Sequence, residues 1–191
     1  MKFCLLSLSL ILGFGPVTIH STDLYSITVK DLQGNVVPMS VFKGKILLIV
    51  NVASECGYTD WHYKELVELQ SQLSDQDFSV LAFPCNQFGN QEPLRNSGIA
   101  RFVKNKYNVN FPVFSKLKVK GEQAHPLYRY LSQLAKKEPE WNFGKYLVNK
   151  AGRVLQFWNQ EVSPLSIIHF IKKHLNMAIT DQYEVYSVKE L

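Results

Sequence analysis

Apolar residues along this chain gather in two nearly unbroken runs, Ile46 to Val52 and Phe78 to Phe83. Short β-branched and aromatic runs of this kind predict strands buried on both faces. Between them, Asp60 to Leu73 carries Tyr63, Leu66, Val67, Gln70 and Leu73 at helical spacing. Strand, helix and strand in that order predict a right-handed parallel crossover. Upstream, Tyr25–Val29 and Val36–Val37 flank Gly34-Asn35, a predicted β-hairpin, and Ser40 to Lys43 reads as a short turn. Downstream, Ser97 is the predicted cap of a helix presenting Ile99, Phe102 and Val103, and a connection follows through Phe111-Pro112-Val113-Phe114. Pro126 opens a helix striped with Leu127, Tyr130, Leu131, Leu134 and Ala135. Tyr146–Val148 and Val154–Trp158 flank a turn and read as an antiparallel hairpin. Ser163-Pro164 opens a last helix bearing Ile168, Ile171 and Leu175.

This order predicts an α/β protein, a mixed central sheet flanked by helices in a thioredoxin-like arrangement. With 191 residues, 46% hydrophobic, the chain can bury one sizeable core. Lys2 followed by the apolar stretch Phe3 to Gly15 reads as a secretory signal over residues 1–21, too short to span a bilayer with ease. The globular domain is then 22–180, with a tail at 181–191 and no stable membrane span in the mature form. The net charge of +5 falls to +4 once Lys2 is removed (20 − 16), and it is dispersed. No basic run with interleaved aromatics points to nucleic acid.

Cys4 leaves with the signal, so Cys56 and Cys85 are the cysteines of the mature chain. No Cys-x-x-Cys or His-x-x-x-His spacing is present, which argues against zinc. Cys56 stands between a buried strand and a helix N-terminus, where the helix dipole favours the nucleophilic thiolate. An inert packed thiol or half of a structural disulfide fits the same segment. Cys85 ends the second run, so both cysteines fall on the carboxyl rim of the sheet, where sites of parallel sheets gather.

Three blocks then appear in order: Asn51-Val52-Ala53-Ser54 leading to Cys56, Phe83-Pro84-Cys85-Asn86-Gln87-Phe88-Gly89 with Gln91-Glu92, and Trp141-Asn142-Phe143. In these the chain resembles the glutathione peroxidases over roughly residues 25–175. The resemblance implies a thioredoxin fold that reduces hydrogen peroxide and organic hydroperoxides. It places the catalytic cysteine on Cys56 and its partners on Gln91, Trp141 and Asn142. Gln91 and Asn142 carry amide N–H groups and Trp141 an indole N–H, so three donors around one sulfur are expected.

Only 15 positions separate Pro126 from Trp141, which resembles the short-loop, monomeric members rather than the tetrameric ones. The helix from Gly98 to Tyr107 lacks the resolving cysteine of the thioredoxin-using members. An outside thiol, or Cys85, must therefore resolve an oxidised Cys56. With the secretory signal, the resemblance narrows to the endoplasmic-reticulum branch. It implies no cofactor, a protein dithiol of the disulfide isomerase type as reductant, and weak use of glutathione. Val188-Lys189-Glu190-Leu191 is only a partial retention signal, so either the reticulum lumen or secretion follows. Gly144 stands where near members of that branch carry an aromatic. Two other classes fit the residues: a redox sensor or chaperone-binding module that oxidises without turnover, and a disulfide exchanger, disfavoured because Cys56 has no partner three positions on.

Overall fold

The computed structural model describes residues 23–177, so the signal, Cys4 and the C-terminal tail lie outside the described residues. In chain order the elements are β1 (Thr28–Lys30), β2 (Val36–Pro38), β3 (Ile46–Val52), α1 (Thr59–Gln72), β4 (Phe78–Pro84), α2 (Asn96–Tyr107), α3 (Pro126–Ala135), β5 (Lys145–Val148), β6 (Val154–Trp158) and α4 (Ile168–Leu175). β3 and β4 pair in parallel, from Ile46 opposite Phe78 to Val52 opposite Pro84. β5 joins the other side of β3 antiparallel, and β6 pairs antiparallel with β5, giving the order β4-β3-β5-β6. The mixed sheet and its flanking helices form the thioredoxin-like α/β fold expected from the element order.

Every residue of β3 and β4 is buried, because side chains alternate between two apolar layers. Leu48, Val50, Val80 and Ala82 face Leu66, Ile99 and Ile171 of α1, α2 and α4. Leu47, Ile49, Leu81 and Phe83 face Leu127 and Leu131 of α3, together with Leu24 and Met39. A leucine buried in either layer contributes about 2 kcal/mol relative to an exposed one.

Several local expectations change. The N-terminal segment begins as a 3-10 turn, Leu24–Ser26, capped by Asp23, before the short β1/β2 pair. Ser97 does not cap α2: the helix starts at Asn96, two residues earlier than expected, and the Arg95 carbonyl accepts from Gly98 and Ile99 N–H. The Asn96 amide is used elsewhere, donating to Ser115 Oγ and accepting from Lys116 N–H. Leu134 is exposed rather than core, and Tyr128 takes the buried place on α3. The 111–114 connection is more than a link. Ala82 N–H donates to the Pro112 carbonyl and Phe114 N–H to the Ala82 carbonyl, covering the open edge of β4. Gln70, expected on the core stripe of α1, uses its side-chain oxygen to accept from Val80 N–H.

Candidate active site

Three loops meet at the carboxyl rim of β3 and β4. After β3 the chain turns into α1 through Ala53-Ser54-Glu55-Cys56, and Thr59 fixes that turn. Its Oγ1 accepts from Cys56 N–H at 3.0 Å and donates to the Ala53 carbonyl at 2.8 Å. Its N–H donates to the Cys56 carbonyl. Cys56 retains 7% of its surface, between exposed Glu55 and Gly57. The sulfur therefore sits at the edge of the core rather than deep within it.

The loop after β4 lies against this turn. Glu55 N–H donates to the Gln91 carbonyl at 2.9 Å, and Ser54 Oγ donates to Glu92 Oε1 at 2.8 Å. Glu92 is buried, its N–H held by Asn86 Oδ1 and its carbonyl by Lys116 Nζ. Burial pushes the Glu92 carboxyl upward, the Ser54 bond opposing it only in part. Gly89 adopts φ +61°, and a Cβ there would lie 3.4 Å from both Gln91 Cγ and Trp141 Cη2. Gln91 and Trp141 therefore close over the same backbone turn.

The third segment, Trp141-Asn142-Phe143-Gly144, hangs on Asn51 of β3. Asn51 Nδ2 donates to the Trp141 carbonyl at 2.9 Å, its carbonyl accepts from Phe143 N–H at 2.6 Å, and its N–H reaches the Gly144 carbonyl. Phe143 is held at φ +67°, a left-handed conformation that costs a non-glycine residue about 1 kcal/mol or more. A Cβ on Gly144 would come within 2.9 Å of Asn51 Oδ1 and 3.2 Å of the Phe157 ring, so glycine is what this clasp accommodates. Trp141 is half-buried and packs against both layers, the one that contains Cys56 included.

Asn142 Nδ2 donates to Gln91 Oε1 at 3.0 Å and to the Phe88 carbonyl at 3.5 Å, which occupies both of its hydrogens. Asn142 thus orients the Gln91 amide, with the Gln91 NH2 turned the other way. Among the described residues no side-chain donor is hydrogen-bonded to Cys56 Sγ. The site gathers the expected groups but not three donors on one sulfur, and catalytic hydrogen bonds commonly tighten only in the reacting complex.

Cys85 continues the inward alternation of Leu81 and Phe83 and lies fully buried in the opposite layer. Its thiol contacts Gln87, donating to Oε1 at 3.6 Å and accepting from N–H at 3.4 Å. Burial pushes it upward, backbone N–H groups of Gln87 and Val119 offsetting this in part. Both cysteines are free thiols. Among the described residues no group of His, Cys, Asp or Glu is placed to hold a metal ion.

Sequence reasoning singled out Cys56, Gln91, Trp141 and Asn142, and it missed the supporting shell. Thr59, a hydroxyl residue at a helix start, carried a readable signal. So did Asn51, the polar residue inside an apolar strand. His62 and Lys145, both fully buried, carried none.

Comparison with known proteins decides the family. The glutathione peroxidase family profile matches residues 24–132. The chain belongs to the glutathione peroxidase family. It is 49% identical to glutathione peroxidase 7 from Homo sapiens over 141 residues, 74% of this chain and 75% of that one. It is 47% identical to probable glutathione peroxidase 8 from Mus musculus over 149 residues, 78% and 71% of the two chains. The crystal structure of T. cruzi GPX1 matches with TM-score 0.65 at 31% identity, covering 81% of this chain and 97% of that one. This glutathione peroxidase is accordingly an oxidoreductase with peroxide as acceptor and a thiol as donor. No helix among the described residues is long and apolar enough to cross a membrane.

Proposed function

We propose that Cys56 is the peroxide-reducing residue, that Gln91 and Trp141 supply flanking N–H donors, and that Asn142 aligns Gln91. The observation that carries this reading is the meeting of the 53–56, 88–92 and 141–143 segments at one rim, around the more accessible of the two thiols. In the first step the Cys56 thiolate attacks one peroxide oxygen and the O–O bond breaks. Sulfur is oxidised by two electrons to sulfenic acid, and the other oxygen leaves as water or alcohol after taking a proton. An outside thiol then attacks the sulfenic sulfur, releasing water and leaving a mixed disulfide. A second thiol displaces the enzyme thiolate, and the donor leaves as a disulfide.

Cys85 does not serve as the resolving thiol in this account, because it faces the other layer and is tied to Gln87. The donor is a protein dithiol of the disulfide isomerase type, with glutathione used weakly, in the lumen of the endoplasmic reticulum or outside the cell. The apolar N-terminal stretch and the short 136–144 connection support this, and the same connection supports a monomer. Stopped-flow measurement of peroxide loss with reduced disulfide isomerase against glutathione, Cys56→Ser as control, tests it. Faster turnover with the isomerase is expected, and a strong preference for glutathione would contradict the relay. One stoichiometric oxidation without sustained peroxide loss, whatever the donor, would favour a sensor instead.

A further inference from the structure

Behind the Trp141-Asn142-Phe143 turn lies a set of buried ionisable groups that the peroxide chemistry above does not use. Lys145, first residue of β5 and paired with Val50 of β3, is wholly enclosed. Its Nζ donates to the Phe143 carbonyl at 2.8 Å and to the Asn159 carbonyl at 2.7 Å. Both acceptors are neutral, and none of the ion pairs among the described residues includes it. Its charged and titratable neighbours are both on α1. His62 is stacked on the Phe143 ring at 4.8 Å and bonded through Nε2 to the Gln160 carbonyl. Glu65 is bonded to Trp61 Nε1, Ser163 Oγ and Leu165 N–H.

Such a lysine is a poor stabiliser. Burial pushes it down to about 7, with Glu65 opposing, and an apolar side chain of the same length would fill the space without enclosing a charge. What the apolar side chain could not do is hold the Phe143 carbonyl. Phe143 carries the left-handed backbone of the turn, and such strain persists only where surrounding bonds over-determine it. Asn51 grips the turn from β3 through the Trp141 carbonyl and the Phe143 N–H. Lys145 grips it from β5 through the next peptide, and the two clasps together set the direction in which residues 141 and 142 leave the sheet.

We propose that Lys145 is a positioning residue for the peroxidase site, its buried Nζ holding the Phe143 carbonyl so that Trp141 and Asn142 stay aligned with Cys56. This rests on the assignment of those two residues to the reaction, and the test separates the two failures. In purified full-length protein, the rate of Cys56 oxidation by hydrogen peroxide is compared with its alkylation by iodoacetamide, for wild type, Lys145→Met and Lys145→Gln. Both reactions need an accessible Cys56 thiolate, and peroxide reduction alone also needs an aligned donor for the departing oxygen. Lys145→Met is expected to lose tenfold to a hundredfold in peroxide rate, the scale of a small misplacement, with alkylation changed less than about threefold. Lys145→Gln, which keeps a neutral donor, is expected to recover part of the loss.

Peroxide and alkylation rates that fall or rise together in the Met variant, or a peroxide rate within twofold of wild type, would overturn the proposal. If Lys145→Met does not fold, the comparison is read on Lys145→Gln. Failure of both to fold would also overturn it, by making Lys145 a requirement of the core. A wild-type enzyme with no Cys56-dependent peroxide loss would instead sink the assignment of the site itself.

Discussion

Cys56 and Cys85 leave neighbouring parallel strands at the same rim, yet they face opposite layers of the sheet. Cys85 follows Pro84 directly and keeps the alternation of its strand, which seals it inward among Phe83, Tyr128 and Leu127. Cys56 comes four residues after Val52, beyond a turn that Thr59 locks, and that turn lifts it to the edge of the core, next to the Glu55 N–H that meets the Gln91 carbonyl. The rim alone therefore does not make a site. A thiol becomes useful where the chain has left strand geometry and loops from elsewhere can reach it. The layers differ in another respect: a fully buried histidine and a fully buried lysine, His62 and Lys145, stand around Phe143 on the Cys56 side.

The sharpest way to break this comparison is to exchange the two sulfurs for oxygen in turn. Cys56→Ser is expected to lose at least about a thousandfold in peroxide reduction, the scale seen when a nucleophile is removed. Cys85→Ser is expected to stay within about twofold of wild type in the same assay, and equal losses would dissolve the distinction.

The acid response tests the second difference. Burial, and then the Lys145 charge, push His62 down to about 4 from 6.5. Between those values the unfolded chain binds the proton and the folded chain does not. The stability this group contributes is therefore complete above about pH 6.5 and is lost toward pH 4, on the order of 3 kcal/mol. Urea unfolding across that range should show the loss in wild type and a flatter profile in His62→Phe.

Removing a flanking donor should cost less than removing the sulfur. Gln91→Ala and Trp141→Phe are each expected to lower the peroxide rate about a hundredfold, as loss of one preorganised donor does. Thr59→Val removes the hydroxyl that joins Cys56 N–H to the Ala53 carbonyl, and thermal unfolding should register about 1 kcal/mol.

The fold was legible because β3 and β4 are buried on both faces, so their composition alone marks them. Pro126 at the start of α3 and Ser163, whose Oγ accepts from Ser166 N–H before α4, spoke through local backbone chemistry. Ser97 misled because the same chemistry is available at Asn96, and there the tertiary contact with residues 115 and 116 decides what the side chain does. The four site residues were legible through the resemblance of three short blocks. Of their supports, Thr59 and Asn51 carried a signal as residue types out of place, and His62 and Lys145 carried none. Lys145 matters because strand register sets it beside Val50 and under Phe143, and no local pattern encodes a register between β3 and β5. The opposite facing of the two cysteines has a similar origin. It follows from where each strand stops, and a shift of one residue reverses the face.

The account's central claim is that Cys56 alone meets the peroxide. Treatment of the reduced, full-length protein with one equivalent of hydrogen peroxide in the presence of dimedone, followed by peptide mass spectrometry, tests it most directly. The expected result is a dimedone adduct on Cys56 with Cys85 recovered as a thiol. A disulfide between Cys56 and Cys85, or oxidation falling first on Cys85, would contradict it.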